Sequence, residues 1–232
     1  MAKVTLIIPT YNEEKFISPL IASVKDQSVV PEEVLVIDAS SDSTPQICAA
    51  AGFKILKQTS KGISGARKEA FDAATQEVIA STDADSVLTK KWIEVTGELF
   101  NDPKVVAVYG PVYFMDGPLW LRLLSRFGFT FFLKLNHLSG KPHLSGMNFA
   151  VRQSAYKAIG GYRTELVTAE DVDLGLRIRS QGKILYDSRL VVFTSARRVM
   201  GMGVAKFFWH HLKNYLNMYF RGHSSADFKP FR

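Results

Sequence analysis

Two carboxylates stand directly after an apolar run in the first half of the 232-residue chain. Residues 78–82 have the β-branched, unbroken composition of a buried strand, and Asp83 and Asp85 follow them. Residues two apart on extended backbone point the same way, so we expect the two carboxylates side by side. Like charges held together need a cation between them, and the pair therefore predicts a Mg²⁺ or Mn²⁺ site that would hold substrate phosphate oxygens. A solvated Asp-rich turn is the simpler interpretation of this motif taken alone.

A second acidic group opens a helix predicted over residues 169–180 and contains Glu170, Asp171 and Asp173. Carboxylates in a first turn either complement the helix dipole or act on a substrate. Side chains two apart on a helix point about 200° apart, so Asp171 and Asp173 are not expected to serve one site.

The elements that position these carboxylates alternate between strand and helix. Strands are predicted at 4–11, 34–37, 53–56 and 78–82, with helices from 13, 45 and 61 between them and Asn12 capping the first helix. This alternation favours an α/β fold with a central, mostly parallel sheet, whose ligand crevice lies at the carboxyl ends of the strands. The second half is less regular, with strands predicted at 105–109, 147–152, 184–186 and 190–193 and helices at 90–100, 118–135 and 204–221.

Composition limits the class of protein. The length suits one large α/β domain, and the single cysteine excludes a disulfide framework and a cysteine-rich metal site, which indicates a reducing, cytoplasmic compartment. We expect neither a signal peptide before the first strand nor a membrane-spanning helix. Residues 1–117 contain 11 Lys/Arg and 16 Asp/Glu, whereas residues 118–232 contain 18 and 6, so the second half indicates an anionic partner. No nucleic-acid recognition motif accompanies this charge.

Six short motifs occur in an order that resembles the family 2 glycosyltransferases of the GT-A fold. They are Ile8-Pro9-Thr10-Tyr11-Asn12-Glu13, Val36-Ile37-Asp38, Gly65-Ala66-Arg67, Thr82-Asp83-Ala84-Asp85, Gly146–Ala150 and Glu170-Asp171-Val172-Asp173. The resemblance implies a single GT-A domain over residues 1–232, with a nucleotide-sugar half (1–117) and an acceptor half (118–232). It also implies an inverting, metal-dependent transfer of a sugar from a nucleotide-sugar donor, such as a UDP- or GDP-sugar, to an acceptor hydroxyl or phosphate.

The resemblance also assigns roles on the donor side. Pro9, Tyr11 and Glu13 would cradle the base and ribose, and Asp38 would hydrogen-bond the base. Arg67, near a predicted helix start after two glycines, would contact the nucleotide, where backbone N–H groups favour phosphate.

For the two acidic motifs the resemblance separates the carboxylates. Asp83 would bind ribose or sugar hydroxyls, and Asp85 would ligate the Mn²⁺ or Mg²⁺ that bridges the donor diphosphate. Asp171 would be the general base that takes the proton of the acceptor hydroxyl.

One stretch departs from the family pattern. Many relatives have a metal-binding histidine or a Gln-x-x-Arg-Trp signature downstream of the acidic pair, but residues 193–199 contain Arg197 and Arg198 and neither signature. The two arginines are expected to hold the leaving diphosphate, with a solvated basic turn as the alternative. The absence of the signature argues against a processive polysaccharide synthase. The five histidines, His223 among them, show no ligand spacing and are interpreted as structural or interfacial.

Two stretches of the basic half have the pattern of amphipathic helices, residues 118–135 and 204–221. The second places Lys206, Asn214 and Arg221 within one polar stripe and aromatic residues over most of the remaining surface. This pattern is typical of a helix in a membrane interface, so we expect peripheral contact with the inner face of the cell membrane and a polyprenyl-phosphate or lipid-linked glycan acceptor. An ordinary packed helix and a dimer interface are the alternatives. A non-lipid acceptor, a nucleotidyltransferase and a non-catalytic nucleotide-sugar or membrane-binding module also stay open.

Overall fold

The structure, a computed structural model, describes the backbone of residues 1–221 and the side chains of residues 1–219. The side chain of Arg221 and all of His223 therefore lie outside the described residues. Within them, seven strands form one sheet in the order β3-β2-β1-β4-β8-β6-β9. These strands are β1 (Val4–Thr10), β2 (Glu33–Asp38), β3 (Lys54–Lys57), β4 (Val78–Ser81), β6 (Val105–Tyr109), β8 (Phe149–Arg152) and β9 (Lys183–Tyr186).

The sheet is mostly parallel, as the alternation of elements predicts. β1 pairs in parallel with β2 and β4, β2 with β3, and β6 with β9, whereas β8 runs antiparallel between β4 and β6. Because β8 and β9 come from the second half of the chain, one sheet joins the two halves.

A second sheet of three short strands lies at the carboxyl end of β4. It consists of β5 (Ser86–Leu88), β10 (Val192–Thr194) and β7 (Val112–Phe114) in that order. β5 and β7 were not predicted, because three residues are too few for a period-2 pattern to be recognised. This sheet brings the region around residue 195 next to the turn that contains Asp83 and Asp85.

The helices cover both faces of the large sheet. They are α1 (Ile17–Lys25), α2 (Thr44–Ala50), α3 (Gly62–Ala73), α4 (Trp92–Leu99), α5 (Leu119–Leu123), α6 (Thr130–Leu138), α7 (Gln153–Ala158), α8 (Glu170–Ile178), α9 (Arg197–Met202) and α10 (Val204–Arg221). A π-helical segment, Leu124–Phe129, connects α5 to α6 without a break. Alternate residues of β1 enter different cores: Leu6 and Ile8 pack with Trp92 on one face, and Ile7 packs with Phe71 on the other.

One local prediction is wrong, and one alternative that the sequence left open is excluded. Asn12 does not cap α1: it has a left-handed φ of 55° and accepts the Ser41 N–H, and the helix begins five residues beyond it, at Ile17. Residues around Arg197 form the short helix α9 and not a solvated turn. In both places the backbone conformation depends on contacts with residues far away in the chain, which a local sequence pattern does not predict.

Candidate active site

The carboxyl ends of β1 and β2 hold Asp38 in a fixed orientation. Asp38 is the last residue of β2 and is paired in register with Thr10 of β1. Its Oδ1 accepts hydrogen bonds from the hydroxyls of Thr10 and Ser40, each at 2.7 Å. The carboxylate borders a pocket of about 430 Å³ that Lys57 and Gln58 also line, a size found for small-molecule sites.

The three other residues predicted for base and ribose binding follow from the end of β1 into the loop before α1. Pro9 is half-buried in the strand, and Tyr11, directly after it, is exposed. Glu13 is buried, and both of its carboxylate oxygens accept from Nη2 of Arg197 at 2.6 Å. Burial raises the pKa of Glu13, although Arg197 acts in the opposite direction. The structure therefore places Glu13 in an ion pair.

Asp83 and Asp85 do not lie on extended backbone. β4 ends at Ser81, and the N–H of Ser86 donates to the carbonyl of Asp83, which closes a turn. Asp83 pairs with Arg67 at 3.1 Å, whereas Asp85 pairs with Nε of Arg197 at 2.8 Å. The prediction that the two side chains lie side by side on a strand is wrong, because the turn sends them to different arginines.

Arg67 of α3 connects the two acidic motifs. Its guanidinium donates through Nη2 to Asp83 and through Nη1 to Glu170, and all three side chains have little exposure. Burial opposes the charge on Arg67, but the adjacent Glu170 and Asp83 raise its pKa, so the guanidinium stays charged. Burial likewise raises the pKa of Glu170 to about 7 despite Arg67. The predicted phosphate contact of Arg67 would require this guanidinium to leave two carboxylates.

Asp171, next to Glu170 in the first turn of α8, is half-buried and held by backbone groups. Its Oδ2 accepts from the Gly146 N–H at 2.5 Å and its Oδ1 from the Val172 N–H at 2.8 Å. Asp173 has different partners, Arg163 and Arg177, as expected for side chains about 200° apart. Asp171 is thus the one of the three carboxylates that is both positioned and partly open to solvent.

Gly146 has a second role in this arrangement. A Cβ at position 146 would fall within the guanidinium of Arg67, so only glycine allows the loop to lie on that side chain. Its carbonyl accepts from the Ser81 hydroxyl at the end of β4, at 2.8 Å. The sequence shows the motif at 146–150, but Gly146 and Arg67 are 79 positions apart, so no local pattern predicts their contact.

Arg197 closes the opposite side of the site. Besides its bonds to Glu13 and Asp85, its guanidinium lies 4.1 Å from the centroid of the Phe16 ring. Arg198, the second predicted phosphate ligand, is exposed beside it. Phe16 directly precedes α1 and is 41% exposed.

The carboxylates around Asp85 are the candidate ligands of a divalent metal ion. No group of three or more His, Cys, Asp or Glu side chains within the described part of the chain is arranged to hold one. Glu13 and Asp85 nevertheless share a single guanidinium, so two buried carboxylates lie against one positive group. This donor set fits a hard cation that takes few protein oxygens and completes its shell with phosphate and water.

The sequence is similar to those of known glycosyltransferases. The sequence model of glycosyl transferase family 2 matches residues 5–160. A glucosyl-dolichyl phosphate glucuronosyltransferase of Haloferax volcanii is 24% identical over 81% of this chain and 67% of its own length. A dolichyl-phosphate hexose transferase of the same organism is 29% identical over 42% of each chain. The chain thus spans between two fifths and two thirds of these relatives.

Two solved structures share the fold. The mannosyltransferase PcManGT from Pyrobaculum calidifontis, in complex with GDP-Man and Mn²⁺, superposes with a TM-score of 0.70 at 21% identity, covering 99% of this chain and 67% of that one. TarS 1-349 of S. aureus, in complex with UDP-GlcNAc, gives 0.64 at 21% identity, covering 83% and 58%. The expected GT-A fold is confirmed.

Proposed function

Because the chain belongs to glycosyl transferase family 2, we propose that it transfers a sugar from a nucleotide-sugar donor to an acceptor hydroxyl or phosphate, with inversion at the anomeric carbon. The observation that carries the proposal is the buried bridge of Arg67 between Asp83 and Glu170. This bridge brings the turn at the end of β4 and the first turn of α8 together around one guanidinium. A donor bound at the turn would therefore have Asp171 beside its sugar.

The donor half of the site would extend along the carboxyl ends of β1, β2 and β4. Asp38, fixed by two hydroxyls, would accept a hydrogen bond from the base, with Pro9 and Tyr11 against the base and ribose. Asp83 would accept from ribose or sugar hydroxyls. The family likeness supports these roles, and the pocket beside Asp38 has room for a base.

Asp85 is the residue that would hold a divalent ion, Mn²⁺ or Mg²⁺. When bound, such an ion would neutralise the charge that the diphosphate gains as it leaves. The exposed guanidinium of Arg198 would add a second positive charge on the diphosphate side. The neighbour that was solved with GDP-Man and Mn²⁺ supports this use of the fold.

Asp171 would accept the acceptor's proton as the oxygen attacks the anomeric carbon. Its Oδ1 and Oδ2 each accept one backbone N–H, so the carboxylate is held in a fixed orientation. Glu170 is unsuited to this role because it is buried and paired with Arg67. An acceptor that presents a phosphate would arrive ionised and would need Asp171 less.

We propose a lipid-linked acceptor, in line with two relatives named for dolichyl phosphate. The continuous α5–α6 helix and α10 are in contact: Tyr215 bonds Asn136, and Phe207 packs on the cluster that contains Leu121. Both helices expose large apolar side chains, which we together call the apolar face: Trp120, Phe127, Phe131, Leu135, Phe208, Trp209, Leu212 and Leu216.

Charge favours a membrane as the partner of the apolar face. Residues 117–164 and 188–219, which include both helices, contain no Asp or Glu. Lys206 and Lys213 are exposed on α10, but Asn214 of the predicted polar stripe is buried and bonded to His210. No described helix is long and apolar enough to cross a membrane. We therefore propose peripheral contact with anionic lipid at the inner face of the cell membrane.

The test is a thermal-shift panel of UDP-, GDP- and dTDP-sugars with and without Mn²⁺, followed by turnover with polyprenyl phosphate and with a free sugar. A ligand at 100 times its dissociation constant stabilises by ~2.7 kcal/mol, which a melting curve resolves. Release of a nucleoside diphosphate supports the transferase, whereas release of pyrophosphate indicates a nucleotidyltransferase. Binding without turnover on any acceptor would leave a non-catalytic module, and turnover on the free sugar alone would refute the lipid-linked acceptor.

A further inference from the structure

We propose that Arg197 is the resident cation of the donor site and competes with the divalent ion for Asp85, so that the ion binds well only together with a diphosphate. The inference rests on the proposed function, because it assumes that Asp85 meets a metal. It adds a positioning role for Arg197 before the donor arrives.

The contacts of Arg197 are those of a fixed counter-ion. Nε donates to Asp85 Oδ2 at 2.8 Å, and Nη2 donates to both oxygens of Glu13 at 2.6 Å. The face of the guanidinium lies on Phe16, with 4.1 Å between its Cζ and the ring centroid. These contacts fix the guanidinium from three sides. The two carboxylates that it neutralises are almost fully buried.

A metal ion on Asp85 would lie beside the guanidinium whose Nε reaches Oδ2 of the same carboxylate. In a partly dry site the Coulomb repulsion between the two positive groups is weakly screened. The guanidinium must therefore withdraw from Asp85 for the ion to bind well. Without another anion in reach, its Nε then loses the hydrogen bond to Asp85 and gains no other.

A diphosphate changes this balance. Its oxygens match the planar donor fork of arginine, so Arg197 can exchange Asp85 for phosphate while the ion takes Asp85 and the same phosphates. Metal and diphosphate then bind cooperatively, and by linkage each raises the affinity for the other by the same factor.

The experiment is calorimetric titration of Mn²⁺ into the full chain without nucleotide, for the parent and for Arg197→Gln. We expect the parent to bind Mn²⁺ weakly and Arg197→Gln to bind it at least tenfold more tightly, since a unit charge next to the ion is removed. With a saturating nucleoside diphosphate the order reverses, because the variant lacks a phosphate ligand. Arg198→Gln removes the same charge from the exposed neighbour and should change Mn²⁺ affinity less than about threefold, since solvent screens that charge.

Two further variants separate the possible failures. Phe16→Leu leaves every charge in place and removes the aromatic support, so it should raise Mn²⁺ affinity in the same direction by a smaller factor, and it serves if Arg197→Gln fails to fold. Asp85→Asn should abolish Mn²⁺ binding in the Arg197→Gln background. Equal Mn²⁺ affinity in the parent, Arg197→Gln and Phe16→Leu would overturn the competition even if the nucleotide binds. Absence of nucleotide binding in the parent would instead refute the proposed function.

Discussion

Replacing Arg67 with methionine removes the charge that joins the two acidic motifs. Arg67 and Glu170 each have about 5% of their side chain exposed, and Asp83 has 13%. At 3.1 Å and an effective dielectric of about 20, one such pair has a Coulomb energy of ~5 kcal/mol before desolvation is subtracted. Removing one partner of a buried pair costs ~3–5 kcal/mol, because the other charge is left unpaired. We expect Arg67→Met to lose ~3 kcal/mol of unfolding free energy at pH 8 by the same reasoning.

The loss depends on pH in a direction that the structure determines. Burial raises the pKa of Glu170 to about 7 even beside Arg67, and without the guanidinium this pKa rises further. A carboxyl whose pKa is raised on folding contributes stability below its unfolded pKa, near 4.5, and loses that contribution as the pH rises through the folded pKa. The cost of Arg67→Met should therefore be largest above pH 7 and should shrink as the pH falls toward 5.

Urea unfolding of four proteins measures the effect: the parent, Arg67→Met, Glu170→Gln and the double variant, each at pH 8 and pH 5. We expect a coupling energy of ~1–3 kcal/mol between Arg67 and Glu170 at pH 8. The double variant should then be more stable than Arg67→Met. Lys68→Met is the matched control, since Lys68 is the next residue of α3 and its pair with Asp72 is solvent-exposed, worth ~0.5 kcal/mol or less. A cost below ~1 kcal/mol for Arg67→Met, or one that Glu170→Gln leaves unchanged, would refute the bridge.

Three other substitutions test separate parts of the site. Asp171→Asn should leave donor binding intact and lower transfer to an acceptor hydroxyl by ~10²–10⁴, whereas Asp173→Asn should lower the melting temperature and affect transfer much less. The reverse ranking in single-turnover and melting assays with such an acceptor would contradict the choice of base. Gly146→Ala should cost ~1–3 kcal/mol in urea unfolding and reduce transfer, because its Cβ overlaps the buried guanidinium; a variant as stable and active as the parent would contradict the contact. Replacing Phe208 and Trp209 with serine should release the protein from anionic vesicles in flotation without lowering its melting temperature, since both are exposed; a fall in the melting temperature would show that they support the core.

The large sheet could be predicted from the sequence because its signals are local. Unbroken β-branched runs and helical periodicity recur in alternation, and each is complete within a few residues. The inserted strand β8 was predicted as a strand, but its antiparallel direction depends on pairings 68 to 74 positions apart with β4 and 40 to 44 positions apart with β6. α10 was predicted with the bounds that the structure gives, yet the buried Asn214 shows that helical phase alone does not identify the packed face.

The candidate site, like the fold, has a part that the sequence predicts and a part that it does not. Which residues stand at the carboxyl ends of the strands follows from the strand assignments, so Asp38 and Asp83 could be placed from the sequence. Which charges neutralise each other does not, because the partners are far apart in the chain: 103 positions separate Arg67 from Glu170, and 184 separate Arg197 from Glu13.

The two arginines also differ in a way that the sequence does not show. Both were predicted to contact phosphate, and both are paired with two carboxylates in the structure. Arg67 is fully enclosed, and the glycine that covers it leaves no room for movement, so exchanging its partners would require the loop at Gly146 to open. Arg197 is about one quarter exposed, so a diphosphate could reach its guanidinium and displace it from Asp85. Enclosure therefore makes Arg67 a structural link between donor and acceptor residues, whereas accessibility suits Arg197 to exchange a carboxylate for a phosphate.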